Sequence, residues 1–178
     1  MDQQVRAASP AGPRPAQEKS RRRRIVTDSS RSSFVYVTFI RTTPERLWSA
    51  LTDAGFMKEY WFGMHIQSEW KSGASWKMLF PDGRLGDAGQ VLECDPPRRI
   101  VLQWRNEWRP ELKDEGESLC AIELEPVPDA VKLTITHTMD RPQSEFIKAV
   151  SGGWPRILSN LKSLLETGEI VLKGPHAR

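Results

Sequence analysis

The feature that most constrains this chain is an amphipathic helical pattern near its C-terminal end. Large apolar residues recur there at helical spacing from Phe146 to Leu165, and the pattern ends at Gly168. A helix with a continuous apolar stripe of about 20 residues must bury that stripe against another layer of structure. The rest of the chain therefore has to supply a matching apolar surface.

Local signals give this long helix a predicted start and a predicted interruption. Asp140, with Gln143 three residues later, has the spacing of a capping box and predicts the start of the helix. Gly152-Gly153 and Pro155 predict a kink or a break inside it, because proline loses a backbone donor and clashes with the preceding turn.

The matching surface is predicted by residues 64–139, where apolar residues alternate with polar ones. Turn signals divide this stretch into an antiparallel meander, and the one long connection, 107–117, predicts an exposed hairpin loop. In the last strand the alternation places His137 on the apolar face. The apolar positions of that strand are Val131, Leu133, Ile135, His137 and Met139.

The segment before the meander predicts one further strand and two short helices. Phe34–Ile40 is a β-branched and aromatic run, and Thr43 with Pro44 has the pattern of an N-cap followed by a first-turn proline. A second short helix is predicted over Phe56–Phe62, ending at Gly63. The order predicts an α+β helix-grip fold, in which a curved antiparallel sheet of about seven strands wraps on the long C-terminal helix.

The charge distribution separates the N-terminal segment from the predicted domain. Residues 1–33 hold eight basic and three acidic residues, whereas the remaining chain carries a net charge of −2. With three prolines and few large apolar side chains, residues 1–33 are interpreted as a disordered basic tail, residues 34–168 as the domain and residues 169–178 as a C-terminal tail. Nucleic acid is therefore an expected partner only through Arg21 to Arg24, and a transit peptide remains an alternative for the tail.

The same composition indicates a cytoplasmic protein. The sequence has no apolar run long enough to span a membrane, and its leader lacks the apolar core of a secretory signal. Cys94 and Cys120 are too few for a disulfide framework, which favours a reducing compartment. Monomer and homodimer are both open.

Five segments of the sequence resemble the SRPBCC or START-like superfamily, in the branch related to the C-terminal domain of the heat-shock-protein-90 ATPase activator. The resemblance covers roughly residues 34–168, and the Thr-Pro-Glu and Gly-Gly-Trp-Pro pieces carry most of it. It implies a cavity between sheet and long helix that takes apolar or amphipathic small molecules, although relatives also include cyclases and a co-chaperone domain. The matching segments are Thr43 to Asp53, Tyr60 to Gly63, Gly89 to Pro97, Leu133 to His137 and Gly152 to Glu166.

The residues themselves show no catalytic constellation. There is no nucleophile elbow, phosphate loop or zinc-protease motif, and the three histidines lie on separate elements without grouped ligands, so no metal, cofactor or catalytic residue is predicted. His137 on an apolar face is either a ligand contact or a core histidine that a neighbouring hydroxyl or carbonyl satisfies. Glu93 shares the predicted face of Val91 and is either a second polar cavity group or a solvent-facing glutamate.

Seven tryptophans in 178 residues favour an aromatic interior. The leading hypothesis is a noncatalytic protein that binds a small hydrophobic or aromatic molecule in this interior. A co-chaperone-like interaction module acting on a heat-shock chaperone ATPase, and a cyclase-like or hydratase-like enzyme using His137 with a carboxylate, remain the alternatives. The predicted cavity-lining residues are Trp61, Phe62, Trp76, Met78, Trp104, Ile135, His137, Phe146, Val150, Trp154, Ile157 and Leu158.

Overall fold

A computed structural model describes residues 30–174 of the chain. The expectations for the basic segment, including Arg21 to Arg24, therefore lie almost entirely outside the described residues, as do those for 175–178. Within 30–174 the chain forms seven strands and four helices. In chain order they are β1 (Ser32–Ile40), α1 (Pro44–Thr52), α2 (Ala54–Tyr60), β2 (His65–Ser68), β3 (Ser75–Leu79), β4 (Leu85–Asp95), β5 (Arg99–Asn106), α3 (Pro110–Lys113), β6 (Ser118–Val127), β7 (Ala130–Met139) and α4 (Glu145–Thr167).

The strands form one antiparallel sheet in the order β1-β7-β6-β5-β4-β3-β2. The last strand of the meander thus pairs with the first strand of the domain, while β1 and β2 form the two edges. The long helix α4 packs against β1, β7 and α2. The predicted α+β helix-grip fold is confirmed.

Alternation along β7 shows which face of the sheet forms the core. Leu133, Ile135 and His137 are fully buried, whereas the intervening threonines are only partly covered. The predicted face of this strand is confirmed. Because successive side chains of a strand point to opposite faces, the pairing register of β7 with its neighbours determines which of its side chains face α4.

Two capping side chains position the short helices. The side chain of Thr43 accepts a hydrogen bond from the backbone N–H of Arg46 at 3.2 Å, as its predicted role as N-cap requires. Asp53 ends α1 and also caps α2 through the N–H of Phe56 at 2.7 Å. The prediction of Phe56–Phe62 for the second helix was therefore too late in the chain; Phe62 has a positive φ of 53° and lies in the turn that follows.

The start of α4 lies four residues later than predicted, and a residue from outside the helix helps to cap it. Ser144 is the N-cap, and the carboxylate of Glu115 accepts hydrogen bonds from the backbone N–H groups of Glu145 and Phe146 at 3.0 and 3.1 Å. The Asp140 start is wrong, since Gln143 has a φ of 51° that a helix cannot contain. The predicted interruption at Pro155 does not divide the helix.

The connection 107–117 is more ordered than an exposed loop. It contains α3, whose Leu112 is buried, and Glu115 ties it to the start of α4. The described part of the C-terminal tail is also held: buried Asn160 exchanges two hydrogen bonds with the backbone of Leu172, at 2.7 and 2.9 Å. The first contact holds the start of α4 against the connection between β5 and β6, and the second holds the tail against α4.

Gly89→Ala should destabilise the fold, because β4 and β5 approach each other closely at this position. A Cβ atom on Gly89 would lie 1.8 Å from the carbonyl oxygen of Gln103. We expect the free energy of unfolding to fall by roughly 1–3 kcal/mol, as for other overpacked sites. Chemical denaturation measures it.

Gly152→Ala is the matched control for this substitution. A Cβ atom on Gly152 meets no atom within 4 Å, so the same change in α4 should raise stability by roughly 0.5–1 kcal/mol through helix propensity. Equal stability of Gly89→Ala and the unchanged protein would contradict the close approach.

Candidate functional site

A pocket of about 490 Å³ opens between the sheet and the first half of α4. Its walls come from the turn after α2, from β3 to β5, from the connection containing α3, and from α4. The residues that line it are Trp61, Phe62, Met64, Met78, Phe80, Pro81, Asp87, Trp104, Asn106, Trp108, Arg109, Leu112, Phe146, Ala149, Val150, Gly153 and Trp154.

The structure brings some of the predicted cavity residues together and places others elsewhere. Those that line the pocket are Trp61, Phe62, Met78, Trp104, Phe146, Val150 and Trp154. Those that are buried in the core but do not line it are Trp76, Ile135, His137, Ile157 and Leu158. The second group lies on the expected faces, at positions along the strands and α4 that the pocket does not reach.

Tryptophans in mutual contact form the inner wall of the pocket. The ring of Trp154 lies 5.4 Å from that of Trp61 and 6.1 Å from that of Trp104, centroid to centroid, in tilted and edge-on arrangements. Such contacts are favourable for aromatic rings and hold each indole in place. At the outer side Trp108 packs edge-on against Phe80 and remains 50% exposed. The pocket therefore has an inner wall of packed aromatic rings and a partly exposed aromatic rim.

His137 lies behind this wall in a satisfied polar network. Its Nε2 is 2.8 Å from the hydroxyl of Ser118, which in turn donates to the carbonyl oxygen of Trp104. The indole N–H of Trp154 donates to Nδ1 at 3.4 Å, so the hydrogen-bond pattern requires the proton on Nε2. Burial lowers the pKa of His137 to about 3, which keeps the imidazole neutral at physiological pH.

The pocket also contains a polar cluster that the sequence analysis did not identify. Asp87 on β4 accepts a hydrogen bond from the side-chain amide of Asn106 on β5 at 2.7 Å. The side-chain oxygen of Asn106 accepts one from the backbone N–H of Arg109 at 2.9 Å. The alternation of Ile100, Leu102 and Trp104, carried one step further, would have placed Asn106 on the inner face, but nothing in the sequence marks Asp87.

Burial in this aromatic pocket shifts the ionisation of Asp87. Desolvation raises its pKa to about 7, and the negative charge of Glu107 adds to the rise. The N–H groups of Trp104 and Asn106 oppose it. The buried indole N–H of Trp104 lies beside the carboxyl without forming a hydrogen bond of ordinary geometry. Asp87 is thus a titratable group poised near neutral pH.

Glu93 and the described histidines do not belong to this site. A β-bulge between Val91 and Glu93 turns the glutamate away from the face of Val91, and its carboxylate pairs with Arg99 at 3.1 Å. Across residues 30–174 no three histidine, cysteine or acidic side chains are grouped as a metal site would need. Over the same range, no helix is both long and apolar enough to cross a membrane.

His137→Gln should flatten the pH dependence of stability. Because the folded state keeps His137 neutral, only the unfolded chain takes up this proton as the pH falls below about 6.5. The stability that depends on it is complete above that pH and is lost progressively towards pH 3. Between pH 7 and 4.5 the free energy of unfolding should fall by roughly 2 kcal/mol less in the variant. Denaturant titrations at the two pH values measure this difference. His65→Gln is the comparison and should flatten the pH dependence less, because the pKa of the partly exposed His65 is lowered less than that of His137. Equal slopes for His137→Gln and the unchanged protein would contradict the buried neutral histidine.

Solved structures with the same fold extend over most of this chain. A Mesorhizobium loti protein has a TM-score of 0.65 at 22% identity, covering 75% of this chain and 96% of its own. The Aha1 dimer from Colwellia psychrerythraea has a TM-score of 0.62 at 20% identity, covering 77% and 98%. An HSP90 activator from Plasmodium falciparum has a TM-score of 0.61 at 23% identity, covering 75% and 95%. At these identities the similarity establishes the fold alone.

The family of the chain is established at the level of sequence. No curated protein matches it significantly. The family model described as "Activator of Hsp90 ATPase homolog 1-like protein" matches residues 41–166, from the end of β1 to the last turn of α4. That range contains the whole pocket. The chain therefore belongs to the family of Activator of Hsp90 ATPase homolog 1-like proteins.

Proposed function

We propose that this protein binds a small hydrophobic or aromatic molecule in the pocket between its sheet and α4, without catalysing a reaction. The observation that carries the proposal is the aromatic-lined volume of about 490 Å³. A volume of this size is in the range of small-molecule sites, which combine apolar walls with a few polar groups. Each Å² of apolar ligand surface removed from water contributes about 25 cal/mol, so burial supplies the affinity.

The chemistry of the lining supports binding rather than catalysis. The charged residues among the lining side chains are Asp87 and Arg109, and Arg109 is held by Glu111 at 2.7 Å. His137, the acid or base expected in a cyclase-like or hydratase-like enzyme, is separated from the pocket by the rings of Trp104 and Trp154. The lining thus offers the carboxyl of Asp87 without a base beside it, which gives less support to the enzymatic alternative.

Val150→Trp should weaken binding by filling part of the pocket. Val150 is partly exposed on α4, so the larger ring can enter the pocket without displacing the buried core. We expect the affinity for the uncharged fluorescent probe N-phenyl-1-naphthylamine to fall by at least tenfold, as loss of most of the apolar contact implies. Probe fluorescence at increasing protein concentration measures the dissociation constant.

Ser159→Trp is the matched control, since it adds the same side chain to an exposed position of the same helix. Its affinity for the probe should equal that of the unchanged protein. Equal binding by both variants would place the probe outside the pocket, and absence of saturable binding by the unchanged protein would contradict the proposal.

A co-chaperone-like interaction module is the second candidate, and an exposed apolar row on β1 favours it. Val35, Val37 and Phe39 point away from α4 and are 56%, 45% and 53% exposed. They lie on an edge strand, where an apolar row is unusual unless a partner covers it. Family membership agrees with a heat-shock chaperone as that partner.

This candidate predicts that the protein changes the rate of ATP hydrolysis by a purified heat-shock-protein-90 chaperone. Changing Val35, Val37 and Phe39 to threonine should remove the effect while retaining strand propensity. Val150→Trp should retain it, because that residue faces the pocket. An unchanged ATPase rate at saturating protein would contradict the co-chaperone candidate.

A further inference from the structure

We propose that Asp87 makes the pocket selective for hydrophobic molecules that carry a positively charged nitrogen, such as an amine or a quaternary ammonium group. This inference rests on the proposed function, since it names the chemical class of the ligand that the same pocket takes. It assigns to Asp87 the role of specificity-determining residue.

The side chains next to Asp87 are hydrogen-bond donors, so its carboxyl acts as an acceptor. Oδ1 receives the amide N–H of Asn106, whose own oxygen is occupied by the backbone N–H of Arg109. The indole N–H of Trp104 lies beside the same carboxyl. Both neighbouring side chains are donors, so they orient the carboxylate and favour its ionised form. Among the residues that the structure describes, Oδ2 receives no hydrogen bond of ordinary geometry, which leaves it available to a ligand.

The other charged groups near the pocket already have partners. Glu107 is paired with Arg105 at 2.6 Å and with Lys113 at 2.7 Å. Arg109 is paired with Glu111 and lies against the ring of Trp108, 5.9 Å from its centroid. The turn after α2, β3 and α4 contribute no charged side chain to the lining. Asp87 is therefore the one charged group of the lining that no described residue balances with an opposite charge.

A cation is the complement that this arrangement lacks. Desolvating an unpaired carboxylate is costly, and an opposite charge within a few ångströms recovers that cost. The indole rings of Trp61, Trp104 and Trp154 line the same pocket and add to the attraction, because the faces of aromatic rings carry negative potential. A ligand with an apolar body and a cationic nitrogen satisfies both the aromatic wall and Asp87.

The same arrangement gives binding a defined pH dependence. Burial raises the pKa of Asp87 to about 7 in the unliganded protein, so the carboxyl is largely protonated at pH 6 and largely ionised at pH 8. A bound cation stabilises the ionised form and displaces the proton. Affinity for a permanent cation should therefore increase from pH 6 to pH 8. Of the neighbouring charges, Arg109 is ion-paired with Glu111, and the hydrogen bond from Lys113 holds the pKa of Glu107 below its usual value.

Phenyltrimethylammonium and tert-butylbenzene test the inference, because they have the same shape and differ by one charge. Chemical-shift titration of the tryptophan indole N–H signals gives both dissociation constants, and Trp104 reports binding beside Asp87. In the unchanged protein at pH 8, the preference for the cation over the neutral compound should exceed that of Asp87→Asn by roughly tenfold. The same preference should decline in the unchanged protein between pH 8 and pH 6, which is a measurement that needs no variant.

The outcomes separate this inference from the proposed function. A cation preference that neither Asp87→Asn nor lower pH reduces would overturn the role of Asp87. Binding of tert-butylbenzene without binding of phenyltrimethylammonium would overturn the cationic class while leaving the pocket as a hydrophobic site. Binding of neither compound would contradict both proposals.

Discussion

The packing of Trp154 between α4 and the sheet is the interaction on which the rest of the structure depends. Its indole is buried, contacts the rings of Trp61 and Trp104, and donates a hydrogen bond to His137. One side chain thereby connects α4 to the end of α2, to β5 and to β7. Because these contacts fix the depth at which the helix sits, they also determine that space remains beside it for a pocket.

Burial shifts the pKa of two titratable side chains in this interior, and the two side chains end with different roles. In both cases desolvation disfavours the charged form. His137 becomes a neutral core residue, since Ser118 and Trp154 satisfy its two nitrogens. Asp87 has donors as neighbours but no counter-charge, and it faces a pocket instead of a packed core. The difference in partners makes the histidine structural and leaves the aspartate for a ligand.

Much of the fold could be predicted because its signals are local. The alternation along β7 and the Thr43-Pro44 pair each depend on residues within a few positions, and the structure confirms them. The start of α4 was placed at Asp140 although Ser144 is its local cap, and the further capping by Glu115 comes from about 30 residues away in the sequence. No local pattern can report such a contact.

Local sequence patterns predict less of the site than of the fold. Alternation assigns a side chain to a face, and Trp76 and Met78 share a face of β3, yet only Met78 reaches the pocket. The positions of α4 and of the connection containing α3 determine which part of the inner face of the sheet remains uncovered. Asp87 was missed for a related reason: its importance comes from Asn106 and Trp104, which the pairing of β4 with β5 brings to it.

The most direct test of this account is the position of a bound ligand in solution. Intermolecular nuclear Overhauser effects between N-phenyl-1-naphthylamine and the protein locate the probe relative to individual side chains. The account predicts contacts with Trp61, Trp104 and Val150. Contacts confined to Val35, Val37 and Phe39, on the opposite face of the sheet, would contradict it.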